Sequence, residues 1–259
     1  MTAAFTLWHK HMTKLRAHPD EAFGLLLQPI LWVVLFGAGM KSMMGPAMNG
    51  GSNLYIAFMV PGIVALSALT GGIGGGTVWL DERLRGVVKE YLVAPIPRLS
   101  ILMGNALSTV TKSLLQAVVI LLVGLLMGAK LDLNPLGWIG GILLVGAYGL
   151  GFTGIALAVA SKAGSPGAYH MLIFMLNLPL LFLSNALYPL KTLPTAMEIG
   201  ARLNPTSYAV DGLRQMVLKN ATSIAGGSAL PLGECFAVVV VFAVLGMGLA
   251  LRAFQSSVK

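Results

Sequence analysis

Long apolar stretches separated by short charged ones dominate the chain. Six windows contain no Asp, Glu, Lys or Arg: Ala22 to Met40, Ser42 to Leu80, Ser113 to Ala129, Leu133 to Ser161, Ala163 to Leu190 and Cys235 to Leu251. The shortest has 17 residues and the longest 39. A helix climbs about 1.5 Å per residue and the hydrocarbon of a bilayer is about 30 Å thick, so about 20 residues make one crossing. The longest window must therefore hold a loop as well, and Gly45-Pro46 with Asn49-Gly50-Gly51-Ser52-Asn53 marks it between Met43 and Asn53. The pattern predicts an all-α integral membrane protein with six transmembrane helices, near residues 22–40, 54–80, 100–129, 135–161, 169–190 and 230–251. Lys112 interrupts the third. An ammonium at mid-bilayer costs about 2.5–3.5 kcal/mol. The polar run Asn105, Ser108, Thr109, Thr111 and Lys112 is therefore expected at an interface, with a polar cavity between helices as the competing placement.

Three segments are not spans. In residues 1–21, Phe5, Trp8, Met12 and Leu15 recur at helical spacing with His9, Lys10, Thr13, Lys14 and Arg16 between them, which predicts an amphipathic helix lying along the headgroups. His9 and His11 stand two apart and point to different sides of such a helix, so they are expected to be solvated polar residues and not metal ligands. After the second span, Asp81 to Leu92 is dense in charge of both signs and stops at Pro95 and Pro97. It predicts a short cytosolic helix, either a solvated connector or a docking element. Between the fifth and sixth spans, Pro194, then Thr195 to Leu203, then Asn204-Pro205, then Thr206 to Leu218 predict two short helices, the second opened by an Asn cap with Pro at its first position. Neither is long or apolar enough to span, so they are expected to be re-entrant or surface-lying, under cover of protein or water. Residues 252–259 are expected to form a cytoplasmic tail.

Composition sharpens this. Of 259 residues, 56% are hydrophobic and 10% charged, too few charges to coat a soluble domain of this size. A net charge of +8 would suit nucleic acid in a polar chain, but the positions of the cations argue otherwise. With the N-terminus cytoplasmic, eleven Lys and Arg fall on that side and six on the other, four of the six in the long segment between the last two spans. The positive-inside rule thus predicts a multi-pass protein of the plasma (inner) membrane with both termini cytoplasmic, lipid as its surroundings and no nucleic-acid partner. The first 21 residues lack the order of a cleaved signal, so the first span is expected to be retained. The single cysteine, Cys235, permits no internal disulfide.

Chemistry is sparse. Gly149-Leu-Gly151-Phe-Thr-Gly154 matches a dinucleotide-binding pattern letter for letter, but it lies inside an apolar span without the strand and open helix start that the pattern needs. Gly71/Gly75 and Gly72/Gly76 are G-x-x-x-G pairs, read as close helix packing, with a hinge as the alternative. Glu234 is the best-embedded acid and is read as a carboxylate reaching the interface. No P-loop occurs, so any ATP must be hydrolysed by another chain, and no metal motif, triad or carboxylate pair is expected.

Several stretches together resemble the type-2 ATP-binding-cassette permease family, the membrane half of daunorubicin-resistance and nodulation-factor exporters. They are Glu82-Arg83 with Gly86, Leu92 and Pro95 to Arg98, then Leu187-Tyr188-Pro189-Leu190 with Leu193-Pro194, and Leu203 to Arg214 before the last span. The resemblance implies a six-helix half-transporter that forms a homodimer and binds two copies of a cytosolic ABC ATPase, with ATP and Mg held by that partner and no cofactor on this chain. It implies that Asp81 to Tyr91 is a coupling helix, with Asp81, Glu82, Arg83, Arg85, Gly86, Lys89 and Glu90 as the ATPase-contact set. Gly86 costs a helix about 1 kcal/mol relative to Ala and so marks a close approach or a bend. It implies a structural signature at Asn204, Pro205, Asp211, Gly212 and Arg214, in which Asp211 and Arg214 are expected to pair and fix the outer helices. Met171, Phe174, Met175 and Phe182 are the candidate pathway lining for a drug or lipid-like cargo. A lipid-linked saccharide is the alternative cargo, and an ion-coupled secondary carrier the rival mechanism, although that rival calls for buried ionisable groups and internal repeats that the chain does not display.

Overall fold

The computed structural model describes residues 2–44, 52–93, 96–132, 134–187, 194–218 and 230–257. The loop around Gly45 to Gly51, Pro95, the Tyr188 to Leu193 motif and the last two residues of the tail lie outside them. Among the described residues the architecture is helical, in chain order α1 (Thr2–Ala17), α2 (Pro19–Met44), α3 (Ser52–Leu84), α4 (Val87–Val93), α5 (Arg98–Leu126), α6 (Pro135–Lys162), α7 (Pro166–Phe182), α8 (Thr195–Leu203), α9 (Pro205–Val217) and α10 (Leu232–Ser257). An antiparallel bridge, Leu131 to Leu218, ties the connection before α6 to the end of α9.

Local chemistry starts these helices where the polar breaks fall. Asn134, Ser165 and Asn204 each accept a backbone N–H of the first turn, and Pro follows each of them. Among the described residues five helices, α2, α3, α5, α6 and α10, are long and apolar enough to cross a membrane. The expected span at 169–190 is shorter in the structure: α7 has 17 residues, about 25 Å of helix, and ends at Phe182, three residues past Pro179. Two other boundaries move. Helix α3 continues through Asp81 to Leu84, and α10 continues to Ser257, so most of the expected tail is helical.

Helix α3 is the axis of the bundle, with 78% of its apolar window buried against 17% for α2 and 22% for α10. Its glycines set how closely the neighbours approach. A Cβ at Gly71 or Gly75 would run into Ser113 or Thr109 of α5, and one at Gly72 or Gly76 would meet Phe152 or Ala156 of α6 at 2.8 Å. The paired G-x-x-x-G stripes are therefore packing surfaces for two different helices. The dinucleotide-like glycines serve the same end, since Gly151 faces Phe242 and Gly154 lies against the backbone of Gly246 across the α6–α10 contact.

Candidate functional site

At one end of the bundle, α1, the end of α3 and α4 meet. The charged segment after the second span is two helices and not one. Asp81, Glu82 and Arg83 are the last turn of α3, the chain turns at Arg85 and Gly86, and α4 begins at Val87. Gly86 has φ +83, a conformation that costs other L-residues about 1–2 kcal/mol, so it is here for the bend.

The charges on either side of that bend divide by direction. Glu82 points inward, its side chain 13% exposed, and receives the Lys10 ammonium of α1 at 2.7 Å. Lys10 also donates to the Tyr91 hydroxyl at 2.5 Å, and that hydroxyl donates to Glu82 at 3.4 Å, so three elements share one polar knot. Burial alone would lower the Lys10 pKa, but the Glu82 and Tyr91 hydrogen bonds outweigh it and hold the ammonium above its ordinary range. Burial likewise raises the Tyr91 phenol. Arg83 donates to the carbonyls of Ala160 at 2.7 Å and Ala163 at 3.2 Å, closing the C-terminal end of α6. Val88 is buried with Trp79, Leu80 and Leu157 and seats α4. Asp81, Arg85, Lys89 and Glu90 are exposed, with Arg85 and Asp81 paired at 2.9 Å on the surface. Glu82 and Arg83 are thus internal braces, and the charges left exposed on this segment are Asp81, Arg85, Lys89 and Glu90.

Helix α1 turns Trp8, Met12 and Leu15 inward and His9, Lys10, Thr13, Lys14 and Arg16 outward as expected, and departs from that pattern at Phe5 and His11. Leu7 and Ala4 pack against Gly104 of α5, and Trp8 Nε1 donates to Thr111 Oγ1 at 2.9 Å. That face turns His11 inward, to 6% exposure, while Phe5 stays 59% exposed. His11 is therefore not solvated as expected, and burial lowers its pKa below the ordinary 6.5. No group of metal-binding side chains forms among the described residues.

At the other end, α9 packs against α3, α6 and α10. Asn204 serves two helices: its Oδ1 accepts the Thr206 N–H at 2.9 Å, and its Nδ2 donates to Leu180 and Leu183 carbonyls at the end of α7. Asp211 and Arg214 pair at 3.0 Å, each 2% exposed. Arg214 donates further to the Phe58 carbonyl at 3.1 Å and the Asn185 carbonyl at 2.6 Å, and its guanidinium lies 3.7 Å over the Phe58 ring. Asp211 accepts from Asn185 Nδ2 at 2.6 Å and from the Leu230 N–H at 3.2 Å. Gly212 admits Leu144 and Cys235 to the helix backbone. Neither Asn185 nor Phe58 was a sequence candidate. Nothing local marks them, since they stand 29 and 156 residues from Arg214.

Two remaining sets fall on the surface. Met171, Phe174, Met175 and Phe182 are 73%, 63%, 70% and 51% exposed on the outer side of α7, so they line no interior path of a single chain. Glu234 is exposed in the first turn of α10, where the helix dipole favours a carboxylate.

Residues 2–218 match the family model described as ABC-2 type transporter. The chain is 33% identical over 205 residues to the putative transport permease ycf38 of Porphyra purpurea, covering 76% of this chain and 67% of that one. It is 29% identical over 226 residues to nodulation protein J of Rhizobium meliloti, covering 85% and 82%. It is 24% identical over 217 residues to the daunorubicin resistance ABC transporter permease protein DrrB1 of Streptomyces coeruleorubidus, covering 84% and 75%.

Proposed function

The chain belongs to the ABC-2 type transporter family, and on that premise we propose that it is the permease subunit of an ATP-driven exporter of an amphipathic, drug-like or lipid-like substrate. Two copies form the transport path, α7 completes a six-span protomer in the inner membrane, and both termini lie in the cytosol. ATP and Mg belong to a separate ATPase subunit that docks on the α3–α4 junction. The daunorubicin-resistance relative supports a hydrophobic cargo, and the exposed Met and Phe side chains of α7 suit a path formed between two copies and not within one.

The observation that carries this reading is the asymmetry at the Gly86 bend. A partner can grip Asp81, Arg85, Lys89 and Glu90 on the outside, while Glu82 and Arg83 bind the same segment to α1 and α6 on the inside. Displacement of the α3–α4 junction would then pull on α1 through Lys10 and on α6 through Arg83, by charge-assisted hydrogen bonds, which are about twice as strong as neutral ones. ATP binding can move this segment only as far as the ATPase grips the two states of the permease differently.

The test is copurification of this chain with its presumed ATPase subunit, followed by ATP-dependent accumulation of an amphipathic dye in inside-out vesicles. Stable association and uptake that stops without ATP are expected. Uptake driven by an ion gradient with no associated ATPase would replace this reading with the secondary-carrier one.

A further inference from the structure

Next to the α1–α4 end, α1, α2, α3 and α5 line a half-open cavity of about 320 Å³, with the inward-turned His11 on its α1 side. At ~30 Å³ per water this is room for about ten waters, or for a small polar group of comparable size. Its wall combines charge and hydrogen-bonding capacity in an unusual balance. Asn105, Ser108, Thr109 and Gln116 line it at 3–4% exposure. The Ser108 and Thr109 hydroxyls donate to the Asn105 carbonyl, so they meet the cavity as acceptors. The side-chain oxygens of Asn105 and Gln116 have no partner, although Gln116 Nε2 donates to Leu25 of α2. A buried polar atom without a partner costs about 1–3 kcal/mol.

One strong donor faces these acceptors. Lys112 lines the same space half-buried. Glu21 also lines the space and its charge acts on Lys112, but its carboxylate is paired with Lys14 at 3.1 Å, and among the described residues no ion pair within 4 Å reaches Lys112. A cation set among acceptors asks for a ligand that is anionic at one point and carries hydroxyl donors elsewhere. An amine would satisfy the acceptors but be repelled by Lys112.

We propose that this cavity is a binding site for a phosphorylated, hydroxyl-bearing headgroup, its phosphate on the Lys112 ammonium and its hydroxyls donating to Asn105, Thr109 and Gln116. The inference goes beyond the exporter reading and needs no ATPase, so it stands or falls on the isolated chain.

The experiment is calorimetric titration of the full-length chain in a nonionic detergent. The probes are dihexanoyl-phosphatidylglycerol, glycerol 3-phosphate and dihexanoyl-phosphatidylcholine. Saturable binding of the first is expected, with the choline lipid at least tenfold weaker. Lys112→Met should weaken binding about ten- to hundredfold, the range for one hydrogen bond to a charge, and Lys112→Arg should restore most of it. Asn105→Leu combined with Gln116→Leu should weaken it with Lys112 untouched. If glycerol 3-phosphate binds as tightly as the lipid and with the same Lys112 dependence, the recognised chemistry is upheld and its source is a soluble phosphate ester. Lys112→Arg also serves as the folding control, because it keeps the charge. Equal binding of all three probes, no saturable binding, or binding indifferent to Lys112 would overturn the proposal and leave a water-filled cavity.

Discussion

At the α8–α9 end, Asp211 and Arg214 are each 2% exposed, and the structure gives each of them two or more further partners on other elements. At the α1–α4 end, Lys10 keeps 47% of its side chain exposed while it holds Glu82, and Arg85 keeps 73% while it holds Asp81. Both ends use ion pairs, yet the physics differs. A buried pair is expensive to desolvate and more expensive to break, so it permits one arrangement. An exposed pair contributes about 0–1 kcal/mol and can re-form in another geometry. The α8–α9 end is built as a fixed anchor and the α1–α4 end as a joint, with the Gly86 bend at its centre.

The comparison breaks most visibly at the anchor. Arg214→Ala, or Asp211→Ala, leaves the other charge buried and uncompensated, and a loss of about 3–5 kcal/mol is expected, read as a large drop in thermal unfolding temperature in detergent. The double replacement Asp211→Leu with Arg214→Met should recover much of that loss. A double mutant as unstable as the single ones would show that the pair is not the source of the effect.

Next come the glycine contacts. Gly76→Leu must push into Ala156 and Tyr169, and overpacking of this kind costs about 1–3 kcal/mol. Gly74 has nothing within 4 Å of an added Cβ, so Gly74→Ala should be neutral or stabilising by up to about 1 kcal/mol. Parallel melting curves of the two variants check this, and equal effects would mean that helix flexibility, not contact, sets the role of these glycines.

At the joint the expected effects shrink. Lys10→Ala should cost about 0–1 kcal/mol of stability while raising the protease sensitivity of α1. His11 gives a smaller, pH-dependent effect. Its folded pKa lies below the ordinary 6.5, so its contribution to holding α1 in place is complete above about pH 6.5 and is lost as pH falls through the folded value. Hydrogen exchange of α1 should therefore quicken on acidification, and His11→Gln should flatten that dependence.

These distinctions were unevenly legible in the sequence. Windows without charge marked four of the five long apolar helices to within a few residues at most ends, and Asn204-Pro205 marked the start of α9, because length and capping act locally. The Asp211–Arg214 spacing announced a pair, but not that Phe58 and Asn185 would complete it, since tertiary contacts between distant segments leave no periodic trace. The α1 face was legible at Trp8, Met12 and Leu15 but not at Phe5 and His11. Apolar spacing pointed to Phe5, whereas the approach of Leu7 to Gly104 decides which side packs and so buries His11. The charge cluster after the second span was equally visible, but its direction was not. Glu82 and Arg83 look like their exposed neighbours until α1 and α6 are placed beside them.

That last point dictates the most direct measurement. Replacing Glu82 or Arg83 would disturb bracing and docking together, so the informative variant is Arg85→Glu with Lys89→Glu, whose side chains face outward. The ATPase activity of the reconstituted complex and the unfolding temperature of the permease are measured side by side. The account predicts that substrate-stimulated ATPase activity is lost or the ATPase subunit dissociates, while stability falls by no more than about 1 kcal/mol, the range for losing the exposed Arg85–Asp81 pair. Full coupling with both charges reversed would contradict the placement of the docking surface at the α3–α4 joint.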